Sequence, residues 1–303
     1  MQFAMVGLGK MGLNLVKNAV DNGLEVSVFD MKAEAVAEAK AYGNDKVTAN
    51  DSLDALIASL PTPRIIWLML PAGAPTNLTV ELMAEKLSAG DILIDGGNSN
   101  YKDNLAQNDL LKKAGIHFLD VGTSGGMEGA RQGGNFMIGG DDETAWKAVE
   151  PIFQAIAQEN GYLYTGRLGS GHYLKMIHNG IEYGMMQAIA EGFEILEASE
   201  FDYDFEAVAK LWNHGSVIRS WLMELAEEQF AADPKLEQIK GKVDSSGEGK
   251  WTVEESLDLN VPAPVIALSL MMRSRSLQDD TMTGKVVAAL RNGFGGHAVH
   301  KEK

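Results

Sequence analysis

A glycine-rich turn near the start of the chain restricts the folds open to it. The apolar run Gln2–Val6 is followed by Gly-Leu-Gly-Lys-Met-Gly, after which apolar residues return at helical spacing. A strand, a G-x-G-x-x-G turn and a helix in this order are typical of a dinucleotide-binding fold, because the glycines let the backbone approach a pyrophosphate at the helix amino terminus. The predicted cofactor residues in this turn are Gly7, Leu8, Gly9, Lys10, Met11 and Gly12.

The end of the next strand indicates which dinucleotide is bound. The alternating run Glu25–Phe29 ends at Asp30 and Met31, about twenty residues after the glycines. A carboxylate at this position accepts hydrogen bonds from the ribose hydroxyls and repels a 2′-phosphate. Asp30 therefore favours NAD, but Lys32 lies close enough to weaken this preference, so NADP stays open.

The fold class follows from the alternation of strand-like and helical patterns in the first half of the chain. Near-continuous apolar runs occur at Arg64–Leu70, Asp91–Asp95 and Ile116–Val121, with helical patterns between them. Such runs are typical of a parallel sheet covered by helices on both faces. We predict an α/β fold whose N-terminal domain, residues 1–166, is a Rossmann-type doubly wound parallel sheet.

Only helical patterns follow residue 166. They include Pro234–Ile239 and Met282–Leu290, and a looser segment lies at Val243–Lys250. The sequence therefore predicts a smaller all-α domain over residues 167–303 with a C-terminal tail.

Two further strand ends carry polar or glycine-rich segments, and ligands of doubly wound sheets bind at strand ends. Asn98 follows one strand, where a turn residue or a helix cap is the alternative role. Gly122–Gly134 follows another and is predicted as a loop that offers backbone N–H groups and Ser124 to a carboxylate or hydroxyl. A flexible linker is the alternative role of this loop.

A polar stripe lies on the long helical pattern that opens at Gly169 and runs to about Ser199. At about 3.6 residues per turn, Lys175, His178, Asn179 and Glu182 share one face. Either this face is solvated, with Lys175 and Glu182 as an ordinary ion pair, or it lines a pocket. Burial in a pocket would lower the pKa of the lysine and raise that of the glutamate, which suits a base and an acid. The apolar remainder of the helix is expected to be buried and consists of Leu174, Met176, Ile177, Ile181, Met185 and Ile189.

Composition excludes several classes of partner. The net charge of −16 disfavours nucleic acid and anionic membrane surfaces. No apolar run reaches the length of a membrane span, and no leader pattern precedes the first strand, so a cytoplasmic protein is expected. The chain has no cysteine, its six histidines are scattered, and no metal site is predicted.

Six segments carry a resemblance to one known family. They are Gly7–Asn14, Asp95–Ser99, Asp120–Arg131, Gly171–Tyr183, Gly249–Thr252 and Phe294–His297. These motifs resemble the decarboxylating 6-phosphogluconate dehydrogenases, within the wider group of β-hydroxyacid dehydrogenases. The resemblance covers nearly the whole chain. The common form of that family is longer, so this chain looks like the short form.

The resemblance implies an NAD(P)-dependent oxidative decarboxylation of 6-phospho-D-gluconate to D-ribulose 5-phosphate in the pentose phosphate pathway. Lys175 would act first as the base at the 3-hydroxyl and then as an acid. Glu182 would protonate C1 of the enediol.

The resemblance also implies a set of substrate-binding residues and an assembly. The carboxylate and hydroxyls of the phosphorylated sugar acid would be held by Asn98, Ser124, Gly125, Gly126, His178 and Asn179, with Asn98 also near the cofactor. Tyr183 and Arg273 would hold the phosphate, with Arg291 and His297 reaching in from the tail of a second subunit. A homo-oligomer, dimer or tetramer, with a shared active site is expected. Without the resemblance, the tail would be interpreted as solvated.

One segment departs from the family pattern. Where the long form has Lys-Gly-Thr-Gly-x-Trp at the phosphate, this chain has Ser246-Gly-Glu-Gly-Lys-Trp251. A cation is lost and Glu248 is repulsive toward a phosphate. Two alternatives therefore stay open: a non-decarboxylating dehydrogenase of gluconate or another 3-hydroxy acid, and a non-catalytic nucleotide-binding sensor.

Overall fold

The chain divides into two units, Met1–His178 and Asn179–Lys303. The structure, a computed structural model, describes residues 1–301. One helix, α8 (Ser170–Glu197), begins in the first unit and continues into the second. Within the described residues, no helix is long and apolar enough to cross a bilayer. The domain boundary at residue 166 stays a prediction.

An eight-stranded sheet forms the centre of the first unit, in the order β3-β2-β1-β4-β5-β6-β7-β8. The strands are β1 (Gln2–Val6), β2 (Glu25–Phe29), β3 (Val47–Ala49), β4 (Ile65–Leu68), β5 (Ile92–Asp95), β6 (His117–Ser124), β7 (Gly134–Gly140) and β8 (Ala157–Gly166). Neighbouring strands are parallel except β6 and β7. The connection between these two, residues 125–133, is shorter than the dozen or so residues that a parallel crossover needs.

Helices cover both faces of this sheet. They are α1 (Lys10–Asp21), α2 (Ala33–Gly43), α3 (Leu53–Ala58), α4 (Ala74–Lys86), α5 (Tyr101–Lys113), α6 (Gly126–Gln132) and α7 (Glu143–Ile156). Side chains of β1 alternate between two separate cores, because successive residues of a strand face opposite sides. Phe3 and Met5 join the core that contains α1 and α7, whereas Ala4 and Val6 join the core that contains α3 and α4. The predicted doubly wound fold class is confirmed.

The parallel register aligns the carboxyl ends of β1, β2, β4 and β5, and β6 continues beyond them from Asp120 to Ser124. Val6 of β1 is paired with Phe29 of β2 and with Leu68 of β4, Leu68 with Asp95 of β5, and Asp95 with Asp120 of β6. Chain segments that leave these strands therefore emerge at one edge of the sheet.

The second unit is helical, as predicted, and residues 179–301 contain no strand. Besides the rest of α8, its helices are α9 (Phe205–Asn213), α10 (Trp221–Ala232), α11 (Gly247–Asp258), α12 (Pro264–Ser276) and α13 (Met282–Gly295). Phe193 of α8 packs against Phe205 and Phe230 in a small aromatic core, with ring centroids 5.5 and 4.8 Å from its own.

Three sequence predictions for the helical region were wrong. Pro234–Ile239 forms turns, because the Asp233 carboxylate accepts the Gln238 N–H (3.0 Å) and Leu236 has a positive φ that a helix does not allow. The looser segment ends earlier than expected, since α11 starts at Gly247. Arg291, placed in a tail, belongs to α13, which continues to Gly295.

Candidate active site

The glycine turn after β1 leaves its backbone open to a ligand. Gly9 is the N-cap of α1 and is exposed, and no atom lies within 4 Å of the position that a side chain there would take. Lys10, the first residue of α1, is also exposed, whereas Gly7, Leu8 and Gly12 are buried. A helix amino terminus with an open approach suits a pyrophosphate, because its first N–H groups have no partner inside the helix.

Asp30 ties the end of β2 to this turn. Its carboxylate accepts the backbone N–H of Leu8 at 2.6 Å and that of Lys32 at 2.8 Å. Met31, next to it, is 96% exposed. The structure thus brings an acidic acceptor beside the glycine turn, and these residues fit a dinucleotide with its ribose at Asp30.

The ends of β5 and β6 present the next predicted residues. Asn98 is exposed and is not the cap of α5, because Asn100 accepts the Lys102 N–H at 3.0 Å and has that role. Ser124 ends β6, and its Oγ lies 3.1 Å from Nε2 of His178. These two predicted substrate residues are therefore in direct contact.

The predicted loop Gly122–Gly134 was wrong. Gly122 to Ser124 belong to β6, Gly125 is the N-cap of α6, and Gly126 is its first residue. Glycines disfavour a helix, but contacts distant in sequence hold α6 against α1. The buried Asn18 amide donates to the Ala130 carbonyl (3.2 Å), and Arg131 forms an ion pair with Asp21 (2.7 Å).

Lys175 is buried, with 6% of its surface exposed. Its stem packs against Gly122 of β6, where any larger side chain would collide with the lysine Cβ. At the start of the same helix, the Asp120 carboxylate accepts the N–H groups of Gly169 and His172, each at 2.6 Å. Asp120 therefore anchors the beginning of α8 to the strand that contacts Lys175.

The Asp120 carboxylate is itself fully buried. Burial raises its pKa, against the lowering effects of nearby His172 and of the two N–H donors.

A buried polar chain that the sequence did not reveal continues from this anchor. His172 Nδ1 donates to Asn104 Oδ1 at 2.6 Å, and Asn104 Nδ2 donates to Asp95 Oδ2 at 2.8 Å. Asp95 ends one apolar strand run, Asp120 lies near the end of another, and each opens a segment that carries the family resemblance. None of these signals linked them to Asn104 or His172. Their partners come from elements far away in sequence, so spacing along the chain could not find this network.

A second cluster lies within the second unit. Asn179 Nδ2 donates to the Glu248 carboxylate, and Ser246 Oγ donates to Glu248 Oε2 at 3.4 Å. The Tyr183 hydroxyl contacts Ser246 Oγ at 3.1 Å and accepts the Ser246 N–H at the same distance. The Arg273 guanidinium lies over the Tyr183 ring, 3.4 Å from its centroid. Three predicted substrate residues, Asn179, Tyr183 and Arg273, thus meet around Ser246 and Glu248.

Other predicted residues of this unit lie elsewhere. Glu182 is half-buried on α8. Arg291 and His297 are exposed, and Asn292 Nδ2 donates to the His297 carbonyl at 2.8 Å. Within residues 1–301, no polar contact joins Arg291 or His297 to the Tyr183 cluster.

Three apolar positions of α8 differ from the expected burial, whereas Met176 is buried as expected. The apolar residues Leu174, Ile181 and Met185 are exposed, whereas the polar Lys175 and Asn179 are buried. The polar residues face groups of their own units, Gly122 for Lys175 and Glu248 for Asn179. A solvated polar stripe is therefore excluded at these two positions. No group of three His, Asp or Glu side chains within the described part of the chain could hold a metal ion.

Two family profiles match the chain. One is described as the NAD binding domain of 6-phosphogluconate dehydrogenase and matches residues 2–166. The other is described as the 6-phosphogluconate dehydrogenase C-terminal domain and matches residues 171–292.

Similar proteins have related names. A Bacillus subtilis protein, YqeC, provisionally named a 6-phosphogluconate dehydrogenase, is 59% identical over 302 residues and matches along its whole length. The NAD-dependent decarboxylating 6-phosphogluconate dehydrogenase of Haloferax volcanii is 41% identical over 100% of this chain and 99% of its own. Among solved structures, Plasmodium falciparum 6-phosphogluconate dehydrogenase, studied alone, with NADP⁺ and with 6-phosphogluconate, matches with a TM-score of 0.84 and 29% identity, over 100% of this chain and 66% of its own.

Proposed function

Because this chain belongs to the 6-phosphogluconate dehydrogenase family, we propose that it converts 6-phospho-D-gluconate and NAD(P)⁺ into D-ribulose 5-phosphate, CO2 and NAD(P)H. This reaction would place it in the pentose phosphate pathway. The observation that carries the proposal is the burial of Lys175 beside the end of β6. A buried amine beside a strand end, where ligands of doubly wound sheets bind, is placed to act as a general base.

The proposed cofactor site consists of Gly7, Leu8, Gly9, Lys10, Met11, Gly12, Asp30 and Met31, with Asn98 at the nicotinamide end. The open backbone at Gly9 and the acceptor at Asp30 support it. NAD is the preferred cofactor in this proposal, because a 2′-phosphate beside Asp30 would meet a negative charge.

Lys175 has two roles in the proposed reaction. It removes the proton of the 3-hydroxyl, and a nicotinamide held at the glycine turn would supply the acceptor for the hydride that leaves C3. The resulting β-keto acid loses CO2, because the carbonyl at C3 accepts the electron pair of the breaking bond. The protonated Lys175 then donates a hydrogen bond to the oxygen on which negative charge develops. Lys175 gives its proton to this oxygen to form the enediol, and it recovers a proton when the C2 hydroxyl becomes the ketone.

Glu182 completes the reaction by giving a proton to C1 of the enediol. It follows Lys175 by seven residues on α8, two turns or about 10 Å of helix rise. Two proton-transfer groups at this separation match the length of a short sugar acid.

Substrate binding would involve one group of residues for the sugar acid and another for the phosphate. Asn98, Ser124, Gly125, Gly126, His178 and Asn179 would hold the carboxylate and hydroxyls. Tyr183 and Arg273 would bind the phosphate. The contact between Ser124 and His178, and that between Arg273 and Tyr183, support this grouping.

The remaining phosphate residues, Arg291 and His297, would come from a second subunit of a homodimer or tetramer. Along α13, Met282, Val286, Leu290 and Phe294 are exposed at intervals of four residues and form an apolar stripe. A stripe of this kind suits a contact with another copy of the chain.

The test is a steady-state assay with 6-phosphogluconate that follows reduced cofactor and released CO2 together, with NAD and NADP in parallel. Equal yields of the two products are expected, with faster turnover on NAD. Reduced cofactor without CO2 would contradict the decarboxylation. Absence of turnover with either cofactor would contradict the proposal as a whole.

A second candidate function is the oxidation of an acid without the phosphate, such as gluconate. It is favoured by one observation. The buried Glu248 carboxylate accepts a hydrogen bond from Ser246, which in turn contacts the Tyr183 hydroxyl. The same assay with gluconate distinguishes the two, since this candidate requires a higher kcat/KM for gluconate than for 6-phosphogluconate.

A further inference from the structure

Glu248 is a buried carboxylate to which the proposed reaction assigns no role. It lies in the first turn of α11, and only 4% of its surface is exposed. A buried carboxylate is costly unless hydrogen bonds stabilise it. Two of its contacts are with side chains around the proposed phosphate site, Asn179 and Ser246.

The contact with Glu248 determines how the Asn179 amide is oriented. An ionised carboxylate only accepts hydrogen bonds, so the amide must turn its NH2 group toward Glu248. Its carbonyl Oδ1 then points away from Glu248 as an acceptor. With an amide partner in place of Glu248, either orientation of the Asn179 amide would form a hydrogen bond, so neither orientation would be preferred.

The contact with Ser246 extends this control to the phosphate side. If Ser246 Oγ donates to Glu248, it accepts from the Tyr183 hydroxyl, which gives one direction to the chain Tyr183, Ser246, Glu248. Arg273 lies at the Tyr183 end of this chain, over the Tyr183 ring. The cluster therefore has a negative end at Glu248 and a positive end at Arg273.

We propose that Glu248 is a positioning residue that holds Asn179 with its carbonyl directed toward a donor, so that Asn179 accepts a hydrogen bond from a substrate hydroxyl. This inference rests on the proposed function, because it takes Asn179 to be a substrate residue.

The first experiment compares Glu248→Gln with the wild type and with Glu254→Gln. Glu254 is a matched control, because it lies on α11 as well but is exposed and pairs with Lys250. For 6-phosphogluconate, Glu248→Gln is expected to raise KM about tenfold or more, the usual effect of a lost hydrogen bond to a charged group. The KM for NAD should stay unchanged. An unchanged KM for 6-phosphogluconate in Glu248→Gln would overturn the inference.

A double-mutant cycle then tests whether Glu248 acts through Asn179. In an Asn179→Ala background, Glu248→Gln is expected to change KM by less than about twofold, because the group that it orients is gone. If the two effects multiply instead, Glu248 acts independently of Asn179 and the inference is wrong.

An exchange variant separates positioning from stability. Asn179→Asp combined with Glu248→Gln restores a hydrogen bond between an amide and a carboxylate, with an unchanged net charge. Thermal unfolding of this variant should return to within a few degrees of the wild type, while KM should stay at least about tenfold high, because position 179 now presents a carboxylate. Recovery of both the thermal stability and the wild-type KM would overturn the inference.

Measurements on the wild type distinguish failure of the proposed function from failure of this inference. A wild type that neither turns over 6-phosphogluconate nor gains thermal stability from it contradicts the proposed function. A wild type that is active, beside a Glu248→Gln variant with the same KM, contradicts the inference alone.

Discussion

Lys175 offers the sharpest test at the scale of single residues. Lys175→Met keeps the aliphatic stem that packs against Gly122 and removes only the amine. Loss of a general base typically lowers turnover by about 10² to 10⁴-fold. We expect a fall of about a thousandfold in kcat with unchanged NAD binding, measured by steady-state kinetics and by cofactor titration.

Lys147, exposed on α7, provides the control for Lys175. Lys147→Met should have wild-type kinetics. Wild-type turnover in Lys175→Met would favour the alternative of a nucleotide-binding sensor, in which Lys175 has no chemical role.

The buried Asp120 carboxyl predicts a pH dependence of stability. Because burial raises its pKa above the usual 3.8, the folded protein binds this proton more tightly than the unfolded chain does. Stability from this group therefore falls as the pH rises from about 3.8 through the folded-state pKa, by at most about 1.4 kcal/mol per pH unit.

The Asp120→Asn variant lacks this pH-dependent contribution to stability, because the amide does not titrate. We expect the free energy of unfolding of the variant to improve relative to that of the wild type as the pH is raised across this interval. Urea titrations of both proteins between about pH 4 and pH 7 would measure it. A difference between the two proteins that does not change with pH would contradict the prediction.

Among the elements, the end of β2 determines the expected cofactor preference. The double variant Asp30→Asn with Met31→Arg removes the negative charge and adds a positive one, while the amide oxygen of the new side chain at position 30 can still accept the Leu8 N–H. We expect the ratio of kcat/KM for NAD to that for NADP to fall by about a hundredfold, or close to 3 kcal/mol.

The double variant Asp30→Ala with Met31→Arg should shift the NAD to NADP ratio as well. It should also lower the melting temperature, because the Leu8 N–H loses its acceptor. An unchanged cofactor ratio in both variants would show that the preference is set elsewhere.

Local sequence signals predicted the elements that depend on local chemistry. The strand runs and the glycine turn were found because apolar alternation and glycine spacing act over a few residues. Predictions failed where contacts distant in sequence determine the local structure. Helix α6 forms despite its glycines and pairs Arg131 with Asp21. Helix α11 starts inside a segment that was expected to be loose.

The same limit explains which site residues could be predicted. Lys175 and Asn179 were identified by helical spacing and by resemblance. Their burial could not be predicted, because it depends on Gly122 and Glu248, which lie more than fifty residues away in sequence. The network of Asp120, His172 and Asn104 escaped detection for the same reason.

At the scale of the whole molecule, a shared active site predicts complementation between two inactive subunits. If Arg291 acts in the site of a partner, a mixed dimer of Lys175→Ala and Arg291→Ala subunits has one doubly defective site and one intact site. Random pairing from co-expression should restore about one quarter of wild-type activity. Each variant expressed alone is expected to be nearly inactive, and mixtures that stay so would contradict the shared site.

The continuity of α8 has a consequence for how chains of this kind can diverge. Each residue inserted into a helix turns everything beyond it by about 100° and moves it by about 1.5 Å. Asp120 fixes the start of α8, so a single insertion or deletion between Lys175 and Glu182 would turn the second residue away from the first. Substitutions can accumulate at positions of this stretch that have no proposed role in binding or catalysis, but changes of length cannot. An alignment of active relatives should therefore contain no gap from residue 175 to residue 182, a rule that can be checked without purifying any protein.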